Sequence, residues 1–208
     1  LSVLLCLYMV VQYLPMSAFV MNVSAACATC NYSNGICTVC STNQPAGDSN
    51  GDGYYEIDNA GKLLWFATQV KAGRVAWNAK VTADITIPSG TTWIPIGYNT
   101  SKIFNATFDG GNYTIDLGTQ TVPGNYYGLV ANMKSATVKN VRVKGTFTAT
   151  TSGAYCVIGG IVGCSAGTSY ITNCRSYVNM DFNFKGKTYN GIAGVLAREY
   201  GTTTIEKC

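Results

Sequence analysis

Gly128-Leu129-Val130-Ala131, Gly160-Ile161-Val162-Gly163 and Gly194-Val195-Leu196-Ala197 recur 32 and 34 residues apart. Each is followed by a second matching run: Val138-Lys139-Asn140-Val141, Ile171-Thr172-Asn173-Cys174 and Ile205-Glu206-Lys207-Cys208, spaced by 33 and 34 residues. Two landmarks that keep one period mean one supersecondary unit repeated, each copy burying its apolar face only against the next. Within a period the apolar and β-branched residues fall into three short stretches, as in 155–163, 169–174 and 177–184. Three strands per period make one coil of a parallel β-helix. Strands of adjacent coils lie about 4.8 Å apart, so like meets like. Val138, Ile171 and Ile205 should then form one inward ladder, and Val141, Cys174 and Cys208 the next. Asn140 and Asn173 coincide at a turn where their amides should stack, and Lys207 interrupts that column. The competing arrangement is an antiparallel sandwich, whose turn signals recur every 8 to about 12 residues.

Towards the amino end, Val81, Ala83, Ile85 and Ile87 alternate with polar partners, the period-two pattern of a strand with one buried face. Before them, residues 60–72 place Leu63, Leu64, Phe66, Ala67 and Val70 on one side at helical spacing. Asn59 is a suitable N-cap and Gly73 a stop. An open β-helix end exposes unpaired backbone groups, so this one helix is placed to cap the first coil. The expected fold is all-β: a parallel β-helix repeat domain over 54–208 with one N-terminal capping helix. The period breaks off midway through a unit at Cys208, so the array is expected to continue past it.

The chain opens with the apolar run Leu1-Ser2-Val3-Leu4-Leu5-Cys6-Leu7-Tyr8-Met9-Val10-Val11, interrupted by Gln12 and Pro15 and ending in Ser24-Ala25-Ala26. That is the apolar region and small-residue cleavage site of a secretory signal without its charged start, and residues 1–26 are read as a signal peptide. The run falls short of the roughly 20 residues a bilayer core requires. Export to the cell surface or medium is expected, with the membrane involved only through export or anchoring. Cys27 invites comparison with a lipidated cysteine, but Ser24 stands where such sites carry Leu.

Charged residues are 12 % of the chain, His is absent, and Thr, Tyr, Val and Ile occur in short stretches divided by 23 Gly. This composition favours strands and tight turns. A net charge of +4 is spread without a Lys/Arg cluster, which argues against a nucleic-acid partner. A monomer is expected.

Residues 27–53 form a Cys-rich module and linker. Cys27, Cys30, Cys37 and Cys40 make two CxxC pairs, able to offer four thiolates to tetrahedral zinc or to close two disulfides in an exported protein. A redox role would require a thioredoxin-like βαβ context that the sequence lacks. Asp48, Asn50, Asp52 and Glu56, with Gly53 at the sixth position, resemble the opening of a calcium loop. Asn59 replaces the bidentate Glu of the twelfth position, and a turn-rich linker is the favoured reading. Cys156, Cys164, Cys174 and Cys208 sit in apolar strands; Cys174 and Cys208, at equivalent ladder positions, read most simply as small buried hydrophobes, with a disulfide between them open only where local geometry allows it.

No catalytic residue is assigned. Without His, neither a Ser-His nor a Cys-His pair can be assembled from this chain. The carboxylates Asp84, Asp109, Asp116 and Asp181 are scattered singly, and Asp109-Gly110-Gly111-Asn112 reads as a tight turn. Trp77, Trp93, Tyr98, Tyr126, Tyr127 and Tyr189 are aromatics that would stack on sugars if exposed, although aromatics on β scaffolds are more often packed.

Taken together, Tyr54-Tyr55-Glu56-Ile57-Asp58-Asn59-Ala60-Gly61-Lys62-Leu63-Leu64-Trp65-Phe66-Ala67, Ala83-Asp84-Ile85, Trp93-Ile94-Pro95-Ile96-Gly97, Phe108-Asp109-Gly110-Gly111-Asn112-Tyr113-Thr114-Ile115 and the Gly-led repeats resemble GLUG-motif surface proteins of gut Firmicutes. The resemblance runs from about residue 54 to the end. The Cys27 to Cys40 segment also looks like the short Cys module that often precedes such arrays. Ala131 departs from the motif, where a second Gly is usual. The resemblance implies a right-handed parallel β-helix of adhesin-like type and transfers no catalytic residue. The functional expectation is a non-enzymatic display or adhesion protein binding a glycan or host protein. The alternative is a glycan-active β-helix or an accessory domain of a larger extracellular hydrolase or peptidase.

Overall fold

The structure is a computed structural model that describes residues 29–98, 100–123, 125–149, 155–182 and 189–208. Residues 1–28, with the signal-like run and Cys27, lie outside them. A parallel β-solenoid of about three turns occupies most of the chain. Its first sheet stacks β3 (Tyr54–Ile57), β4 (Asn78–Val81), β6 (Thr107–Asp109), β10 (Thr137–Lys139), β13 (Val162–Thr172) and β16 (Leu196–Glu206), with β9 (Val130–Lys134) also paired to β13. The second stacks β5 (Ile85–Thr86), β7 (Thr114–Thr121), β11 (Arg142–Ala149) and β14 (Arg175–Phe182). The third stacks β8 (Asn125–Tyr127), β12 (Tyr155–Gly159) and β15 (Tyr189–Ala193). Neighbouring strands in all three sheets run parallel, which removes the antiparallel sandwich.

The ladders follow the sequence period. Val138 pairs with Ile171 and Ile171 with Ile205, while Val130 pairs with Val162 and Val162 with Leu196. The offset between β9–β10 and β13 changes from 32 at Val130 to 33 at Val138, so β13 carries one extra residue at its bend. Gly167 stands in that bend in the left-handed region, opposite Ser135, also left-handed. The stretches 155–163 and 169–174 are therefore divided differently from the expectation: β12 ends at Gly159, and one long strand, β13, turns the corner between them.

Each Gly-led segment makes the corner between the third and first sheets. A Cβ on Gly160 would lie 2.4 Å from the Gly194 carbonyl of the next coil, so only glycine allows the coils to stack there. The corner between first and second sheets is made by Asn112, Asn140 and Asn173, all left-handed, and Lys207 takes the same conformation after β16. Asn tolerates that conformation better than most residues. The Asn173 amide donates to Asn140 Oδ1 at 2.9 Å and to Asn112 Oδ1 at 3.0 Å, so the expected column is present. Lys207 keeps the turn without contributing an amide, which makes the backbone conformation, not the side-chain ladder, the repeated element.

The run from Val81 to Ile87 is not one strand. It crosses a corner: Val81 ends β4, Ile85 begins β5, and Asp84 Oδ1 between them accepts the Thr114 N–H at 2.8 Å. Apolar alternation persists through the corner because Val81, Ile85 and Ile87 all point into one core.

The helix α1 (Ala60–Lys71) begins and ends where expected. Asn59 Oδ1 accepts the Lys62 N–H at 2.9 Å, and Gly73 follows with φ +115°. Its Phe66 ring lies 6.4 Å from Phe104 and 6.5 Å from Phe108, so α1 closes the core on the side of the first coil. The loop carrying Ile96 and Phe104 covers the other starting edge, bridging to Val130 and Met133 of β9. Within that region the Trp93 indole N–H donates to the Gly128 carbonyl at 2.9 Å and its backbone N–H donates to Gln120 Oε1 at 2.9 Å.

Candidate functional site

The segment from residue 29 to 53 is seated on the start of the solenoid. β1 (Tyr32–Ser33) and β2 (Ile36–Cys37) form an antiparallel hairpin across Asn34 and Gly35, both left-handed as a two-residue turn requires. Asn34 is the joint. Its carbonyl accepts the Gly61 N–H at 3.0 Å, its Oδ1 the Ala60 N–H at 3.2 Å, and its amide donates to the Thr86 carbonyl at 3.0 Å. A Cβ on Gly61 would lie 1.7 Å from the Gly35 carbonyl, so hairpin and helix meet backbone to backbone.

The same hairpin brings thiols together. The Sγ atoms of Cys30, Cys37 and Cys40 all lie within 4.8 Å of one another, with Cys30 and Cys40 3.7 Å apart. Cys37 is buried and the other two are half-buried. Cys37 and Cys40 sit on a tight knuckle in which the Ser41 N–H reaches the Cys37 carbonyl and the Cys37 N–H reaches the Thr42 carbonyl, each at 2.9 Å. Thr42 Oγ1 lies 3.1 Å from Cys40 Sγ and 3.5 Å from Cys30 Sγ. A hydrogen bond with Cys30, together with the neighbouring thiols, pushes the Tyr32 phenol up to about 12. Neither Tyr32 nor Thr42 stood out in the sequence, because nothing in a spacing pattern shows which hydroxyls a hairpin folds against.

The oxygen-rich loop is bonded largely within itself. Asp48 Oδ1 and Oδ2 accept the N–H groups of Asp52 and Gly53 at 3.1 and 2.9 Å, and Asn50 Oδ1 accepts the Asp52 N–H at 2.9 Å. Ser49 donates to Glu56 Oε2, and Asp52 Oδ1 accepts the Tyr54 N–H at 2.9 Å. Asn59, at the twelfth position, serves as the helix cap.

The later thiols lie in the solenoid. Burial, followed by the adjacent Cys208, pushes the Cys174 thiol up to about 12, and burial raises Cys164 as well. Protonated thiols are poor nucleophiles. Cys208 Sγ accepts the Cys174 N–H at 3.4 Å in the ladder expected for this pair, but Cys208 is exposed and not the buried hydrophobe expected, since among the described residues no rung lies beyond it.

Among the carboxylates, Asp116 pairs with Lys144 at 3.2 Å and Asp109 with Lys139 at 3.3 Å, both across adjacent coils. Asp181 lies exposed on β14 opposite Thr148. Of the aromatics singled out for sugar stacking, Trp93 and Tyr127 are only 1 % exposed and belong to the core. Burial pushes the Tyr127 phenol well above its usual range, and its hydroxyl donates to the Trp93 carbonyl at 3.2 Å. Trp77 stacks on Tyr55 at 4.3 Å, Tyr98 and Tyr126 are half-buried, and the Tyr189 side chain lies outside the described residues.

The exposed tyrosines among the described residues are others: Tyr32 of the hairpin, and Tyr113, Tyr170, Tyr177 and Tyr200 of the solenoid. Tyr170 near the end of β13 and Tyr177 early in β14 flank Asn173, and Tyr113 follows Asn112 at the same corner two coils earlier. Arg142 donates to the Asn112 carbonyl there, and Arg175 is exposed beside it. A side chain exposed on one rung has no pattern marker, because outward positions alternate whether they carry Thr, Lys or Tyr.

The fold and these features define a class, a repeat-built parallel β-solenoid with a thiol-bearing segment docked at its start. Comparison with protein-family models, curated proteins and solved structures gives no match. Among the described residues no helix is long and apolar enough to cross a membrane.

Proposed function

We propose that this chain is a non-enzymatic display or adhesion module, exported to a bacterial cell surface, that binds a glycan or host-surface protein through the Asn112-to-Asn173 corner of its solenoid. The resemblance of its repeats to GLUG-motif surface proteins supports the setting. The observation that carries the reading is that the exposed tyrosines Tyr113, Tyr170 and Tyr177 lie on the two sides of a corner that carries a column of side-chain amides and two arginines. Exposed aromatic faces with flanking amide and guanidinium donors are the chemistry that holds a sugar: the ring covers its C–H face and the donors meet its hydroxyls. The amides of Asn112, Asn140 and Asn173 recur on three successive coils, which suits an extended ligand.

The test is binding of the purified chain to a glycan array and to mucin-coated surfaces, with the double variant Tyr170→Ala/Tyr177→Ala alongside. Two aromatic contacts of about 0.5–1.5 kcal/mol each correspond to a loss of roughly tenfold or more. Both rings are exposed, so thermal stability should be unchanged. A flat response of the parent chain across glycans and mucins would count against an adhesion role. Undiminished binding by the double variant would remove this corner from it.

A further inference from the structure

We infer that Cys30, Cys37 and Cys40 form a thiolate centre for a structural zinc ion, and that this metal clamps the amino-terminal hairpin as a cap on the first coil. The sequence left zinc and disulfides equally open, and the geometry separates them. A disulfide brings two sulfurs to about 2.05 Å and can engage only two of three. Thiolates on a tetrahedral zinc, each about 2.3 Å from the ion, stand about 3.8 Å from one another. Cys30 and Cys40 are 3.7 Å apart, and all three sulfurs lie within 4.8 Å of one another. That is the spacing of ligands around a common centre.

The surroundings fit the same chemistry. Soft sulfur donors select zinc over the hard cations that oxygen loops take. The Thr42 hydroxyl, 3.1 Å from Cys40 Sγ, is placed to donate a hydrogen bond to a thiolate, the supporting contact that orients metal ligands. The knuckle from Cys37 to Thr42 is closed by its own backbone hydrogen bonds, and Ser41 takes the left-handed conformation that returns the chain. Three thiolates leave one tetrahedral corner.

The consequence is mechanical. From residue 29 to 53 only Cys37 and Ala46 are apolar and buried, too few to hold the segment by hydrophobic burial. Yet this segment supplies Asn34 to two N–H groups at the start of α1 and to the Thr86 carbonyl of β5, and the Gly47 carbonyl to Glu56 of β3. Metal binding supplies the missing stabilisation, because ligands fixed around an ion fix the hairpin that carries Asn34. The zinc thus protects the edge at which the solenoid starts.

The experiment uses the chain purified under reducing conditions. Elemental analysis should find about one zinc per chain, the stoichiometry of a single closed site. Cobalt(II) added to chelator-stripped protein should give the near-ultraviolet thiolate-to-metal absorption. Cys37→Ser and Cys40→Ser should abolish both signals, while Cys208→Ser, far along the chain, should leave them unchanged. To separate loss of metal from loss of fold, the parent chain is also tested: stripping should lower its melting temperature and admit protease cleavage between residues 29 and 53, and zinc should restore both. Absence of bound zinc from this preparation, or disulfides among these cysteines by mass spectrometry of chain prepared without reductant, would overturn the metal centre. A metal that can be stripped without change in melting or cleavage would overturn the clamp. Zinc binding and glycan binding are read on different variants, Cys37→Ser and Tyr170→Ala/Tyr177→Ala, so the failure of one is distinguishable from the failure of the other.

Discussion

Val138 and Ile171 are fully buried, whereas Ile205, next in the same column and in the same register, is 46 % exposed. The third sheet repeats the contrast, with Ile158 fully buried and Ile192 47 % exposed one rung later. At the opposite end of the stack the first-rung residues Ile57 and Ile85 are at most 2 % exposed. What separates the two ends is not the character of their side chains but the layer lying on them. Over the first coil lie α1, the loop through Trp93 and Phe104, and the thiol-bearing hairpin. Among the described residues, nothing stacks beyond β14, β15 and β16. In a solenoid, an inward position is only half of burial, and the neighbouring rung supplies the other half.

The largest expected effect breaks the covered end. Phe66 joins α1 to Phe104 and Phe108, and Phe66→Ala removes that ring from a close-packed site. A loss of about 3–5 kcal/mol is expected in denaturant unfolding. If the loss were below about 1 kcal/mol, the helix would be an ornament on a solenoid that does not depend on it. The comparison is sharpened within a single column. Ile171→Ala should lower stability by about 2–5 kcal/mol. Ile205→Ala, nearly half in water already, should lower it by under about 1 kcal/mol. Equal losses from the two truncations would show that the stack does not govern their burial.

The same contrast marks what the sequence could reveal. Periodicity identified the parallel coils, the Val138–Ile171–Ile205 ladder and the Asn column, because each coil repeats the same contacts at the same spacing. It also located α1, since Asn59 and Gly73 mark the helix ends by local rules that need no tertiary context. It misread what is not repeated. The Val81–Ile87 alternation passed for one strand because a corner preserves the inward and outward order while changing sheets. Composition leaves Trp93 open between sugar stacking and the commoner packed role, and the decision lies in an indole buried against Gly128 of the next coil, a contact 35 residues away that no local window contains. The paired CxxC spacing pointed to cysteine chemistry. Only the folded hairpin showed three sulfurs converging, with Thr42 beside them.

A smaller effect than that of Phe66 or Ile171 concerns a charge between buried rungs. Asp109 lies in the column of Lys139, one coil on, and its side chain is 15 % exposed. Burial by itself favours its neutral acid. The Gly111 N–H at 2.9 Å, the Asn140 amide at 3.0 Å and the Lys139 ammonium at 3.3 Å favour the carboxylate, and they prevail: Asp109 is held below the usual carboxylate range. A group whose folded pKa is depressed stabilises the fold fully above its unfolded value, about 3.9 for Asp, and loses that contribution as pH falls through the folded value. Asp109→Asn should therefore be less stable than the parent by about 1 kcal/mol at neutral pH, the scale of one charge-assisted hydrogen bond exchanged for neutral ones. The difference should close on acidification below about pH 4, as the parent protonates the same site. Denaturant midpoints measured from neutral to acidic pH provide the check. A gap that stays constant across the titration would mean that packing around the Asn140 turn, not the charge, accounts for the loss.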